Sequence, residues 1–179
     1  MKLFKQSFLL VFIFSYLAYS QHTDKGVYIL SGQVSYTSIS VENVDGTYNY
    51  LSIDPLFAYF VANNLAIGGT LRYYNQSHSG ASATYWGIGP AIAYYINTGN
   101  VSPFVMASYV YSSRSSSSMD DSSSESDIIL GFGTDFFLSK NVSIQPLISY
   151  DMYSGSMGDV NFNDQNTLKF GIGIGVYIY

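Results

Sequence analysis

Apolar and polar positions alternate with a period of two through most of this chain. The clearest run is the last one. Leu168, Phe170, Ile172, Ile174, Val176 and Ile178 fall on one face, and Lys169, Gly171, Gly173, Gly175, Tyr177 and Tyr179 on the other. A period of two over this length predicts a β-strand. Seven more strands phase in the same way. Val27 to Thr37 sets Tyr28, Leu30 and Val34 against Ser31, Gln33 and Ser35. Tyr48 to Phe60 sets Leu51, Ile53 and Phe57 against Ser52, Asp54 and Ala58, and Leu65 to Tyr74 sets Ile67, Leu71 and Tyr73 against Thr70 and Arg72. Tyr85 to Tyr95 alternates Trp86, Ile88 and Ile92 with glycine and alanine. Val101 to Tyr111 is less regular, because Phe104, Met106 and Val110 are apolar in the polar phase. Ile128 to Phe137 sets Leu130 and Phe132 against Gly131, Gly133 and Asp135, and Val142 to Tyr153 sets Ile144 and Ile148 against Gln145, Ser149 and Asp151.

Three connections repeat one phrase: Tyr59-Phe60-Val61-Ala62-Asn63-Asn64-Leu65, Tyr94-Tyr95-Ile96-Asn97-Thr98-Gly99-Asn100-Val101, and Phe136-Phe137-Leu138-Ser139-Lys140-Asn141-Val142. Polar connections this short force antiparallel hairpins. The other connections, Ser38 to Thr47, Asn75 to Thr84, Ser112 to Asp127 and Ser154 to Asn166, read as long polar loops. Short turns on one side and long loops on the other, around strands of about ten residues, predict an all-β fold: an eight-stranded antiparallel up-and-down transmembrane β-barrel.

Composition agrees. Only 11% of residues are charged while 17% are aromatic, against about 25% charged in soluble domains. Lys2, Lys5, an apolar run from Phe8 to Leu17 and small residues at Ala18 and Ser20 predict a cleavable signal peptide over 1–20, leaving 21–179 as the barrel domain. With 12 acidic residues set against Lys25, Arg72, Arg114, Lys140 and Lys169, the barrel domain is acidic, which argues against nucleic acid. The chain has no cysteine, so disulfides and thiolate metal sites are excluded.

In this register Tyr59, Tyr94 and Phe136 point outward at one level and predict a periplasmic aromatic girdle. Phe60, Tyr95, Phe137 and Tyr177 point inward and predict a plug at the periplasmic mouth. Tyr48, Tyr50, Tyr73, Trp86, Tyr109 and Tyr153 are candidates for a second girdle. Pro55, Pro90, Pro103 and Pro146 all lie near a periplasmic turn, the tolerable place for a residue with no N–H.

With Leu51-Ser-Ile-Asp-Pro-Leu-Phe-Ala-Tyr-Phe-Val-Ala-Asn-Asn-Leu-Ala-Ile-Gly-Gly69, Gly87-Ile-Gly-Pro-Ala-Ile-Ala-Tyr-Tyr95, Pro103-Phe-Val105 and the aromatic end at Tyr179, the chain resembles the eight-stranded outer-membrane β-barrel family of OmpA/OmpX and opacity-protein type. The resemblance covers nearly all of 26–179. It implies insertion into the bacterial outer membrane by the outer-membrane assembly machinery, and loop-borne binding or a structural role. The family often ends in Phe on the lipid-facing stripe, whereas here the stripe runs in the phase of Ile178.

The inward phase collects Asp54, Arg72, Asp135, Gln145, Asp151 and Lys169. An eight-stranded barrel is just wide enough to be filled by its side chains. The expected role of these six residues is a structural polar network, because isolated buried charges are too costly; the sharper alternative is a narrow porin-like ion path. Catalysis needs a nucleophile with a base. His22 reads as part of a frayed end and His78 as a loop residue among serines, so no catalytic residue is expected. A lipid-processing enzyme and a soluble ligand-binding barrel stand as lesser alternatives. Asp159-Val-Asn-Phe-Asn-Asp164 spaces oxygens like the start of a calcium loop, but Asp164 replaces the glycine turn and Phe170 the closing Glu. The expectation is a solvated acidic loop, with no metal and no cofactor. The expected partners are outer-membrane lipid and an extracellular ligand at the loops, with the chain itself a monomer.

Overall fold

The computed structural model describes residues 22–40, 47–78, 81–96, 98–116, 123–157 and 160–179. Eight strands, β1 (Tyr28–Ser40), β2 (Thr47–Ala62), β3 (Leu65–His78), β4 (Ala81–Tyr95), β5 (Val101–Ser116), β6 (Ser123–Phe137), β7 (Val142–Met157) and β8 (Val160–Ile178), pair antiparallel in sequence order and close into one barrel. Among the described residues no helix is long and apolar enough to cross a membrane. The expected signal segment 1–20 lies outside the described residues.

The alternation decides which face each side chain takes. On β8, Leu168, Phe170, Ile172, Ile174 and Ile178 are all exposed, while Gly173, Gly175 and Tyr177 between them are buried. The same parity holds on β5, where the sequence was irregular. Val105 and Tyr109 are exposed; Phe104 and Val110 are buried inside. The lumen at that height needs apolar filling, so apolar residues stand in both phases. From Ile178 to Leu168 the outward stripe, at about 3.3 Å per residue and a tilt of about 40°, spans roughly 25 Å, the height of an outer-membrane apolar band.

The strands reach further outward than the periodicity indicated. The expected loop Asn75 to Thr84 is mostly ladder, paired through His78↔Ala81. β6 begins at Ser123, and its ladder to β5 runs through Arg114↔Ser123. β8 begins at Val160, so the backbone of the stretch read as an acidic loop is extended strand, paired with β7 at 160–162 and bulged at 163–164; Asp159 lies outside the described residues, as do 41–46 and 117–122 of the other expected loops. Above the bilayer both faces of a strand meet water, and a polar strand then carries no period-two signature.

The repeated asparagine of the three turns has one repeated job. The carbonyls of Asn64, Asn100 and Asn141 accept hydrogen bonds from the backbone N–H of Tyr95, Phe137 and Tyr177. Each turn is thereby pinned to the strand beside it, at the level of an inward aromatic ring. Asn64 does this with φ of +69°, a left-handed conformation that asparagine tolerates.

All four prolines lie inside strands. Pro55, Pro90 and Pro146 each face a break in the ladder on one side: β2–β3 skips from Ile53↔Tyr73 to Leu56↔Thr70, β4–β5 from Ile88↔Tyr111 to Ala91↔Ser108, and β6–β7 from Gly133↔Leu147 to Phe136↔Ile144. The register is the same on both sides of every break. The ladder yields locally to the missing N–H without shifting a side chain to the other face.

The hydrophobic core fills the half of the lumen at the short-turn end. Val27, Ile29, Ala58, Phe60, Ala66, Ala93, Tyr95, Phe104 and Tyr177 pack there, with Phe137, Met106, Leu56 and Leu147 against them.

Candidate functional site

Two polar clusters occupy the lumen, at different heights. The outer one is built on Arg72, which is 7% exposed. Its Nε donates to Asp54 Oδ1 at 2.8 Å, its Nη1 to Asp127 Oδ2, and its Nη2 stands 3.4 Å from Asp151 Oδ2. Asp151 also accepts from Lys169 Nζ at 2.6 Å, from Ser149 at 2.8 Å and from Tyr153 at 3.2 Å. Ser52 donates to the second oxygen of Asp54 at 2.7 Å. Two cations thus face three carboxylates from β2, β6 and β7. Fully or nearly buried charges persist only when paired and hydrogen-bonded in this way.

The inner cluster centres on Asp135, which is fully buried. One carboxylate oxygen accepts from Ser143 and from Gln145 Nε2 at 2.7 Å; the other accepts from Tyr177 OH at 2.8 Å. No cation is bonded to it among the described residues; three neutral donors hold it instead.

The six residues singled out by the inward phase therefore divide in two. Asp54, Arg72, Asp151 and Lys169 meet in one cluster, and Asp135 with Gln145 forms the other. Asp127, placed at the edge of a loop by the sequence reading, is a full member of the outer cluster. Its parity with Ile129 on β6 was the available signal. Between the clusters lies a cavity of about 60 Å³, lined by Gln33, Thr70, Met106, Ser108 and Leu147 among others.

The mouth at the short-turn end is shut by aromatic rings. Phe60 packs on Tyr95 with centroids 5.2 Å apart, Tyr95 on Phe104 at 5.1 Å, and Phe137 on Tyr177 at 5.0 Å. The chain before β1 completes the closure. His22, expected in a frayed end, is buried: its ring stacks on Phe137 with centroids 3.8 Å apart, and its Nδ1 lies 2.6 Å from Tyr179 OH. Thr23 donates to Asn64 Oδ1 at 2.7 Å while its carbonyl accepts from the Asn64 N–H at 2.7 Å. Burial away from water holds the His22 pKa below its ordinary 6.5. Rings that cap the lumen supply apolar area which no polar end would, and this is what orders the segment.

On the outer wall, Tyr94 and Phe136 are exposed and Tyr59 is half-buried against Tyr28, with centroids 4.8 Å apart. The proposed second girdle needs correction. Tyr73 and Trp86 face outward as a pair at 4.7 Å, and Tyr109 is exposed on β5. Tyr48, Tyr50 and Tyr153 lie in the inward phase. Tyr48 stacks on His78 at 3.8 Å, Tyr50 on Tyr74 at 6.1 Å, and Tyr153 donates to Asp151. Counting by twos from the inward Ser52 and Asp151 reaches Tyr50, Tyr48 and Tyr153, so strand parity sets all three inside. His78 belongs to β3 and not to a loop.

A family model described as "Outer membrane protein beta-barrel domain" matches residues 7–177. No curated protein sequence matches the chain. Among solved structures, Neisserial surface protein A (NspA) superposes with a TM-score of 0.61 at 17% identity, covering 85% of this chain and 97% of that one. The outer membrane protein OprG from Pseudomonas aeruginosa gives a TM-score of 0.58 at 12% identity, covering 89% of this chain and 99% of that one. At such identities the likeness is one of fold.

Proposed function

The chain belongs to the outer membrane protein β-barrel domain family and has its place in the bacterial outer membrane, and on that footing we propose that it is a non-enzymatic barrel with a structural or surface-interaction role carried at its extracellular end. The carrying observation is the filled lumen. Arg72 bridges three carboxylates across the barrel, and the aromatic layer with His22 shuts the far mouth. Asp54, Arg72, Asp151 and Lys169, with Asp135 and Gln145 below, act in this reading as the struts of a rigid scaffold. Tyr59, Tyr94 and Phe136 act as its periplasmic girdle. A sealed barrel leaves the wall for lipid and the extracellular rim for a ligand. The assembly machinery is the partner that inserts it, and it works as a monomer.

A porin-like channel is the second reading, favoured by the cavity of about 60 Å³ between the clusters, which has room for a few waters. Conductance in planar bilayers, read beside heat-modifiable gel migration, separates the two. For Arg72→Ala the scaffold reading expects lower heat resistance and no new current. Steady current through the unaltered protein, or a new open state in the variant at full stability, favours the channel.

A further inference from the structure

The barrel wall is not zipped to the same height all the way round. The β1–β8 ladder runs from Tyr28↔Ile178 to Val34↔Ile172 and stops. β1 continues to Ser40, held on its other side by β2 through Ser40↔Thr47. β8 starts at Val160, held by β7 through Met157↔Val160. Two strand edges therefore stand apart above the last pair, residues 35–40 on one side and 160–171 on the other. Were the register carried on, Tyr36 would face Phe170. Neither residue has a partner on the other strand.

An open edge presents a row of N–H and C=O groups. The lipid-facing stripe of β8 continues through Phe170 to Leu168, so the base of the split lies within the outer part of the apolar band. Hydrocarbon offers these groups no hydrogen bond. Natural sheets blunt such edges with proline, charge or a bulge. Here all four prolines are on β2, β4, β5 and β7. Residues 35–40 carry no charge. Lys169 is turned inward onto Asp151, and the bulge of the β7–β8 pair, an extra residue of β8 between Phe162 and Gln165, lies together with Asp164 above the 166–171 stretch, which has neither.

We propose that this split is a docking slot for an extended polypeptide segment, which adds as a strand along the free edge of β8. An extended chain is the occupant because its own N–H and C=O groups repeat at the spacing of a ladder, and neither a lipid nor a small amphiphile brings such a row. Its alternate side chains would be apolar beside Phe170 and Leu168, and small or polar toward Lys169. The slot rests on the surface-interaction reading for its biological setting only.

The chain has no cysteine, so engineered pairs report cleanly. Leu30→Cys with Val176→Cys, and Tyr36→Cys with Phe170→Cys, take the same face and the same type of ladder position, below and above the split. In refolded protein the lower pair is expected to oxidise, and the upper pair more than about ten-fold more slowly, because unzipped strands hold their Cβ atoms beyond disulfide reach. On the unaltered protein, a synthetic peptide copying residues 33–40 is the probe. It is expected to bind saturably and to slow amide exchange at 166–171, and a proline-substituted copy to do neither. An upper pair that cross-links as fast as the lower, or exchange at 166–171 that the peptide leaves unchanged, overturns the proposal. A protein that engages no partner on cells while both results hold overturns the surface-interaction reading instead.

Discussion

Asp54 stands directly across the β2–β3 pair from Arg72, with Oδ1 2.8 Å from Nε, at the one place where that ladder is broken by Pro55. The inner cluster repeats the relation. Asp135 lies across from Gln145, 2.7 Å from its Nε2, at the break that faces Pro146. In both cases the luminal side chains bridge the strands where the backbone does not.

Removing Arg72 tests that bridge. Arg72→Ala leaves Asp54, Asp127 and Asp151 sharing Lys169 alone in a buried site, and breaking a buried ion pair from one side costs about 3–5 kcal/mol. The expected outcome is a matching fall in the urea midpoint of the detergent-refolded barrel. Arg72→Lys restores part of it, because a single ammonium cannot reach three carboxylates with a planar fork.

The inner cluster depends on neutral donors. Tyr177→Phe removes one of three hydrogen bonds to buried Asp135 while keeping the ring that packs on Phe137 and Phe60. A loss of about 1–3 kcal/mol is expected, read in the same unfolding experiment. No loss would mean that the hydroxyl holds nothing.

Closure of the mouth at the short-turn end is expected to depend on pH. Burial lowers the His22 pKa, so the docked segment favours the neutral ring. The unfolded or undocked form then binds more protons, and docking is fully stable above about pH 6.5 and weakens as pH falls through that value and below. Amide exchange at Gly26 and Asn64, whose N–H groups bond Phe60 and Thr23, is expected to accelerate between pH 7 and 5, and to lose most of this dependence in His22→Phe.

Backbone contact distinguishes two glycines. A Cβ on Gly89 would lie 1.6 Å from the Tyr109 carbonyl oxygen, whereas one on Gly69 would lie 3.4 Å from its nearest neighbour, the Gly89 carbonyl oxygen. Gly89→Ala is expected to abolish heat-modifiable migration and Gly69→Ala to preserve it.

Much of this was legible in the order of residues, and the reason differs by region. Inside the bilayer one face must be apolar, so parity assigns Ile172 outward and Asp135 inward. At the end of the barrel where the turns are short, their asparagines mark the strand ends closely. Above the membrane both faces are wet. Asn75 to His78 and Ser123 to Asp127 therefore looked like loop, and Asp127 was lost from the network with them. Pairing is invisible to periodicity altogether. That is why neither the split above Val34 nor the junction of Asp135 with Tyr177 could be read before the register was known. His22 was missed because nothing within its own neighbourhood announces a ring partner more than a hundred residues away.

Alternate residues of these strands face hydrocarbon and a sealed interior. Single nitroxides at Ile144, Ile148, Ile172 and Ile174, compared with Ser143 and Ser149, test it in lipid bilayers through collision with oxygen and with a water-soluble nickel chelate. The isoleucine positions are expected to meet oxygen and not the chelate, and the serine positions neither. Chelate reaching the serine positions would mean an open aqueous lumen, and chelate reaching the isoleucine positions would mean that this wall does not face lipid.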